Sequence, residues 1–142
     1  MAQVGTVRTE GNRGCFIIDF DGVASTTAGV LMNVLNPEGV DLFITRSWLL
    51  FRTASSGSAT LTIGVAATSA TEGTDIINAL EASSTTGKCY NGNAHVVAIK
   101  TELASTPAIW LHDYYITAKG SATTIGMKAT LFIEYIRTAA TA

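Results

Sequence analysis

The chain has 142 residues, of which 14% are charged and 47% hydrophobic, with nine Lys and Arg against eleven Asp and Glu for a net charge of −2. A single domain of this length buries roughly 70% of its unfolded surface and needs no disulfide or metal to hold it. No basic run provides the electrostatic footprint of a nucleic-acid binder, and the longest apolar runs, such as Trp48-Leu49-Leu50-Phe51, are too short to span a membrane.

Residues 1 to 13 are polar, without the apolar core of a secretion signal, and read as an extended arm outside the fold. Without a secretion signal, Cys15 and Cys89 are expected to be free thiols. The first strand runs from Cys15 to Phe20, with Phe16, Ile18 and Phe20 on one side. Its surroundings, FIIDFDGV from Phe16 to Val23, resemble motif one of the haloacid dehalogenase phosphohydrolases. In that family the first Asp attacks phosphorus and the second is the general acid and base, which would give Asp19 and Asp21 those roles. The family also requires a second acidic motif to complete the oxygen ligation of magnesium. Asp41, Asp75 and Asp113, the remaining aspartates, form no such motif, and the parallel sheet with alternating helices is missing from the pattern. The expectation is therefore a buried strand, with Asp19 and Asp21 on its outer side and Gly22 at the turn that follows.

Further strands are expected over residues 27 to 35 and 40 to 53. Asn36-Pro37-Glu38-Gly39 between them reads as a type I turn, with Pro37 presetting φ and Gly39 in the fourth position. Ser58 to Ala66 alternates cleanly, with Ala59, Leu61, Ile63 and Val65 on one face. In Thr74 to Glu81 the apolar residues Ile76, Ile77 and Leu80 are spaced i, i+1, i+4 after a capping Thr74 and Asp75, which predicts a helix of about two turns. Residues 94 to 100 and 108 to 112 read as strands, separated from the preceding elements by a loop at 87 to 93. Asp113 to Lys119 and Gly126 to Arg137 read as strands joined by a hairpin loop at Gly120 to Thr123. In the last strand Met127, Ala129, Leu131, Ile133 and Tyr135 share a face, while Phe132 and Ile136 are apolar exceptions on the other. Such a strand is central, or its outer face meets a partner. The fold expected is all-β: one antiparallel β-sandwich or jelly-roll domain over 1–142, of about eight strands with one short helix, ending in a polar tail at 138–142.

Catalytic constellations are thin. His95 and His112 are the only histidines, and with Cys89 they have no spacing that favours a metal or a Cys/His pair. No nucleophile elbow, P-loop or zinc-protease motif occurs. Ser58 and Ser121, each after a Gly, read as turn serines. Trp48 and Trp110, with Tyr90, Tyr114 and Tyr115, could form a sugar platform, although both tryptophans read first as core. No catalytic, cofactor-binding or metal residue is assigned, no cofactor is expected, and the chain is not expected to be an enzyme.

One resemblance spans most of the chain. The polar arm, the Thr/Ala/Gly-rich strands, the segment LTIGVAATSATEGTDIINALE and the ending TTIGMKATLFIEYIRT resemble the small β-rich decoration, or cement, proteins of tailed-bacteriophage heads. This resemblance implies a jelly roll and a homotrimer. It implies docking on the major capsid protein at the outer capsid surface of a virion made in the host bacterial cytoplasm, with no nucleic acid or membrane as partner. Two other readings stay open: another virion subunit of tail or baseplate, and a carbohydrate-binding β-sandwich.

Overall fold

The computed structural model describes residues 12–23, 29–91 and 108–138. Nine strands occur among them: β1 (Arg13–Asp21), β2 (Gly29–Leu35), β3 (Leu42–Thr53), β4 (Thr60–Ala66), β5 (Ile77–Glu81), β6 (Cys89–Asn91), β7 (Ile109–Trp110), β8 (Tyr115–Gly120) and β9 (Lys128–Arg137). They form two sheets. The front sheet has the order β1-β9-β3-β6, with the short β7 also pairing β3, and the back sheet has the order β2-β8-β4-β5. Every pairing is antiparallel. With β7 set aside, this order is that of a jelly roll, in which the chain passes back and forth between two facing sheets. None of the described residues lies in a helix long and apolar enough to cross a membrane.

The alternation read from the sequence fixes what lies between the sheets. Phe16, Ile18 and Phe20 of β1 point inward, as do Leu49 and Phe51 of β3 and Ala129, Leu131, Ile133 and Tyr135 of β9. Leu61, Ile63 and Ile116 meet them from the back sheet. Trp110 is fully buried at one end of this core, where its indole N–H donates to the Tyr114 carbonyl at 2.9 Å and Phe16 meets its ring edge-on. The same end is pinned by Asn36. Its Nδ2 donates to the carbonyls of Val40 and Trp110, both at 2.9 Å, and its Oδ1 accepts from the Glu38 amide at 2.9 Å. A buried amide with its partners supplied fixes the turn more firmly than Pro37 alone. Gly39 takes the φ of +70° that the turn needs.

The expected helix over Thr74 to Glu81 is instead the strand β5. Its pairing with β4 contains a bulge. Leu61 faces Leu80 and Ile63 faces Ile77, so two residues of β5, Asn78 and Ala79, stand where β4 has only Thr62. Ala79 has a φ of 56°, and its amide donates to Thr62 Oγ1 at 3.2 Å. The extra residue resets the alternation, so Ile77 and Leu80, three apart, both enter the core. A bulged strand and a helical turn thus share one sequence spacing. The expected hairpin at Gly120 to Thr123 is also overturned. β8 and β9 lie in different sheets, and the segment between them crosses the open end of the sandwich. The loop expected at 87 to 93 contributes β6. The strand expected over 94 to 100 lies outside the described residues, as do 1–11 of the arm and 139–142 of the tail, whereas Arg13 already belongs to β1.

Two close approaches close off the fold. At Gly22, whose amide donates to the Met127 carbonyl at 2.8 Å, a Cβ would stand 1.7 Å from the Thr124 carbonyl oxygen. On the back sheet, residues 67–76 fold over the outer face. A Cβ on Gly64 would meet the Gly73 carbonyl carbon at 2.4 Å, and the Thr117 hydroxyl donates to the Thr71 carbonyl at 2.8 Å. Gly64 and Thr117 are therefore buried although they lie on the side away from the core.

The bulge makes a directional prediction. A left-handed backbone costs a non-glycine residue about 1–2 kcal/mol, against the 0.5–1 kcal/mol of extra entropy that a glycine loses on folding. Ala79→Gly is expected to raise the urea midpoint, by up to about 1 kcal/mol in stability, and Ala79→Val to lower it. A helix at this position would reverse the effect of glycine.

Candidate binding face

The outer side of the front sheet is where the described chain exposes aromatic and aliphatic groups in rows. Register places Ile17 of β1 beside Phe132 of β9, and Phe132 beside Trp48 of β3. Ile17 is 59% exposed, and Trp48 and Phe132 are half-buried. Trp48, Phe132 and Cys89 line an open apolar hollow of about 310 Å³. A second apolar row, Ile109–Phe43–Ile136, crosses β7, β3 and β9 nearer the other end of the strands. Between the two rows Arg46 lies beside Glu134, Nε to Oε2 at 3.9 Å, with its guanidinium 5.2 Å from the centre of the Trp48 ring. On the other side of the Trp48 row, Arg52 Nε donates to Thr130 Oγ1 at 3.1 Å, Arg52 Nη2 lies 3.6 Å from Asp19 Oδ1, and the Thr130 hydroxyl donates to Asp19 Oδ1. These ion pairs are exposed and add little to folding.

Trp110 is in the core as expected, but Trp48 is not. It belongs to the outward set of β3 with Leu50 and Arg52, while Leu49 and Phe51 point in. The proposed sugar platform is not assembled, because Tyr90 turns inward to meet Phe51 edge-on and Tyr114 packs on the core. Asp19 and Asp21 lie on the outer side of β1, as the strand reading requires. Among the described residues no three His, Cys, Asp or Glu side chains gather as metal ligands. Ser58 is exposed, and Ser121 accepts the Thr60 amide at 2.8 Å as a turn residue does. His95 lies outside the described residues. The signal for this face was present in the sequence, in Phe132 and Ile136 on the polar side of β9 and in the unbroken run Trp48 to Phe51.

Two polar clusters brace the end where β1 begins and β9 finishes. Tyr135 Oη donates to Glu38 Oε2 at 2.6 Å, Arg137 Nη2 donates to the same oxygen at 2.5 Å, and Arg137 Nη1 donates to the Arg13 carbonyl at 2.8 Å. The arginine holds the Glu38 carboxyl below its ordinary value, and burial, helped by Glu38, pushes the Tyr135 hydroxyl up to about 12. Outside this cluster Asp41 Oδ1 accepts from the His112 amide at 2.8 Å and lies 3.0 Å from His112 Nδ1, while Asp113 Oδ2 stands 3.1 Å from Nε2. The hydrogen bond to Asp41, then the charge of Asp113, raises His112, and the same bond lowers Asp41. On the back sheet Asp75 is exposed along most of its length, but its Oδ1 is tucked against Gly64 and accepts the Val65 amide at 2.8 Å. Desolvation there raises its carboxyl more than the hydrogen bond lowers it.

No protein-family model, curated protein or solved structure matches the chain.

His112 and Asp41 give a pH prediction. The raised histidine favours the folded state below about pH 6.5 and loses that contribution as pH rises through its folded value; the lowered Asp41 favours folding above about pH 4 and loses it as pH falls through its own. The pair is therefore fully engaged between those limits. An NMR titration should place the His112 midpoint above 6.5, and Asp41→Asn should bring it back toward that value.

Cys15 and Cys89 are both exposed, on opposite edges of the front sheet. The two intervening strands put them about 14 Å apart across the sheet, too far for a bridge. Both thiols should titrate with a disulfide reagent once the protein is unfolded, without prior reduction; an intact mass two hydrogens short would contradict this.

Proposed function

We propose that the protein is a viral structural protein: a decoration, or cement, subunit that binds the outer surface of a bacteriophage head and stabilises it without covalent chemistry. The observation that carries this reading is the front sheet. A whole sheet face bears apolar rows alternating with paired charges, which suits packing against protein. Jelly rolls of this strand order serve as viral capsid domains and also as lectin domains and cupins, so the fold permits the reading without deciding it. The low charge fraction and the profile of arm, strands and apolar last strand support it further. The outer edges of β1 and β5 are sheet termini that a closed homotrimer would cover by symmetry. The polar residues 1–11, which lead in sequence into β1 at the sheet edge, would supply contacts to the major capsid protein. Three arms on one trimer would multiply weak contacts on a shell with matching sites.

The test is co-sedimentation with heads of the virus whose genome encodes the chain. The full chain is expected to pellet with the shells, and a chain lacking residues 1–11 to pellet less at equal concentration. The truncation spares Arg13, whose carbonyl holds Arg137. A folded protein that stays in the supernatant would overturn the assignment. Glycan binding abolished by Trp48→Ala would give the face to a carbohydrate instead.

A further inference from the structure

The apolar rows of the front sheet need an occupant, and their arrangement selects one. We propose that a second copy of this chain packs on the outer face of the front sheet, about a two-fold axis that runs along the strands between β3 and β9. This rests on the packing-face reading above but not on the viral assignment; with the seam on the front sheet, a shell would be reached by residues 1–11 and the sandwich edges.

Such an axis lays β9 of one copy over β3 of the other, and the register states what then meets. Within one sheet the outward neighbours are Ile136 with Phe43, Glu134 with Arg46, and Phe132 with Trp48. The rotation carries each member of a pair onto the opposite member in the second copy. Phe132 covers the other Trp48, Ile136 covers the other Phe43, and Glu134 faces the other Arg46. Apolar groups meet apolar groups, and Arg46 and Glu134, between the two apolar rows, meet their opposites. The intramolecular pair, at 3.9 Å, becomes a ring of two arginines and two glutamates closed between the copies. Opposed charges at a self-complementary contact fix register and exclude slipped arrangements. A rotation about the strand direction also keeps the strands of the two sheets nearly parallel, the aligned mode in which sheets stack about 10 Å apart. Three columns of strands about 30 Å long and a fourth made of the short β6 and β7 give a projected footprint of about 500 Å² per copy. The corrugation added by Trp48, Phe132 and Arg46 takes the accessible area beyond that projection, toward the roughly 800 Å² per partner of a standard interface.

On the opposite side, residues 67–76 cover the back sheet over Gly64 and Thr117, while Leu35 at the end of β2 stays exposed. Trp48 marks the seam directly. It is half-buried in one copy, whereas Trp110 is fully buried already, so pairing changes the solvent access of Trp48 alone among the two tryptophans.

The experiment is a charge swap read by light scattering at low salt and tens of micromolar protein. Arg46→Glu places four carboxylates at the seam and is expected to halve the mass of the particle. Glu134→Arg added to it restores opposite charges across the seam and is expected to restore the mass. Acrylamide quenching of tryptophan should rise in the single variant and fall back in the double. Since the pair is exposed in one copy, the variants should keep the wild-type far-ultraviolet circular dichroism, which shows that they still fold. Trp48→Ser tests the apolar row independently and is also expected to halve the mass. If the sandwich edges close a trimer as well, the wild type is a hexamer and the variants trimers, and the ratio of two is unchanged. A wild-type monomer or trimer, or variants that keep the wild-type mass, would overturn the seam. A dimer whose variants are monomers would uphold it while removing the trimer from the functional proposal.

Discussion

The fold depends on one strand. β9 pairs along its whole length with β1 on one side and β3 on the other, and its inward residues supply the middle of the core. The front sheet has no other connection between its first and third strands. Because β1 and β3 lie far from β9 in sequence, the sheet closes only after long loops have been ordered, and the chain gains its hydrophobic contacts late relative to that entropy cost. The Asn36 amide and the Glu38–Tyr135–Arg137 cluster stand where β9 ends and hold that closure in place. Gly14 makes room for it, since a Cβ there would touch the Tyr135 ring.

Much of this could be read from the residues because a half-buried strand writes its two faces into alternate positions. β1, β4 and β9 each announced their inward sets, and the fold class followed. Three features were not legible, each for a physical reason. β5 imitates a helix because the bulge at Ala79 inserts one residue into the alternation. The segment between β8 and β9 imitates a hairpin because local turn residues say that the chain reverses, not which sheet it rejoins. Trp48 looked like core because size and aromaticity favour burial, while its phase against Leu49 and Phe51 places it outside. Phase was the better guide. The polar clusters at Glu38 and His112 join residues distant in sequence, so no spacing could reveal them.

The FIIDFDGV stretch shows how a short motif and a strand can coincide. An apolar run ending in two aspartates at alternate positions describes the start of a phosphatase site. It equally describes a strand whose inner side is aromatic and whose outer side is wet. Here Asp19 is held by Thr130 and Arg52, side chains of β9 and β3 on the same outer face. Its carboxylate belongs to the polar frame around the Trp48 row.

The two faces of the sandwich are finished differently. The segment 67–76 covers the part of the back sheet around Gly64 through close backbone contacts with Gly73, and the residues at its crest, Ala67 to Glu72, are small, polar or acidic and all exposed. In any assembly that engages the front sheet, this crest points into the medium. It makes no contribution to the core, and an exposed loop tip of this kind accepts inserted sequence more readily than a strand does. A peptide grafted between Ser69 and Ala70 would therefore be displayed on the side opposite the seam. The jelly roll would then act as a carrier that presents one foreign epitope per subunit.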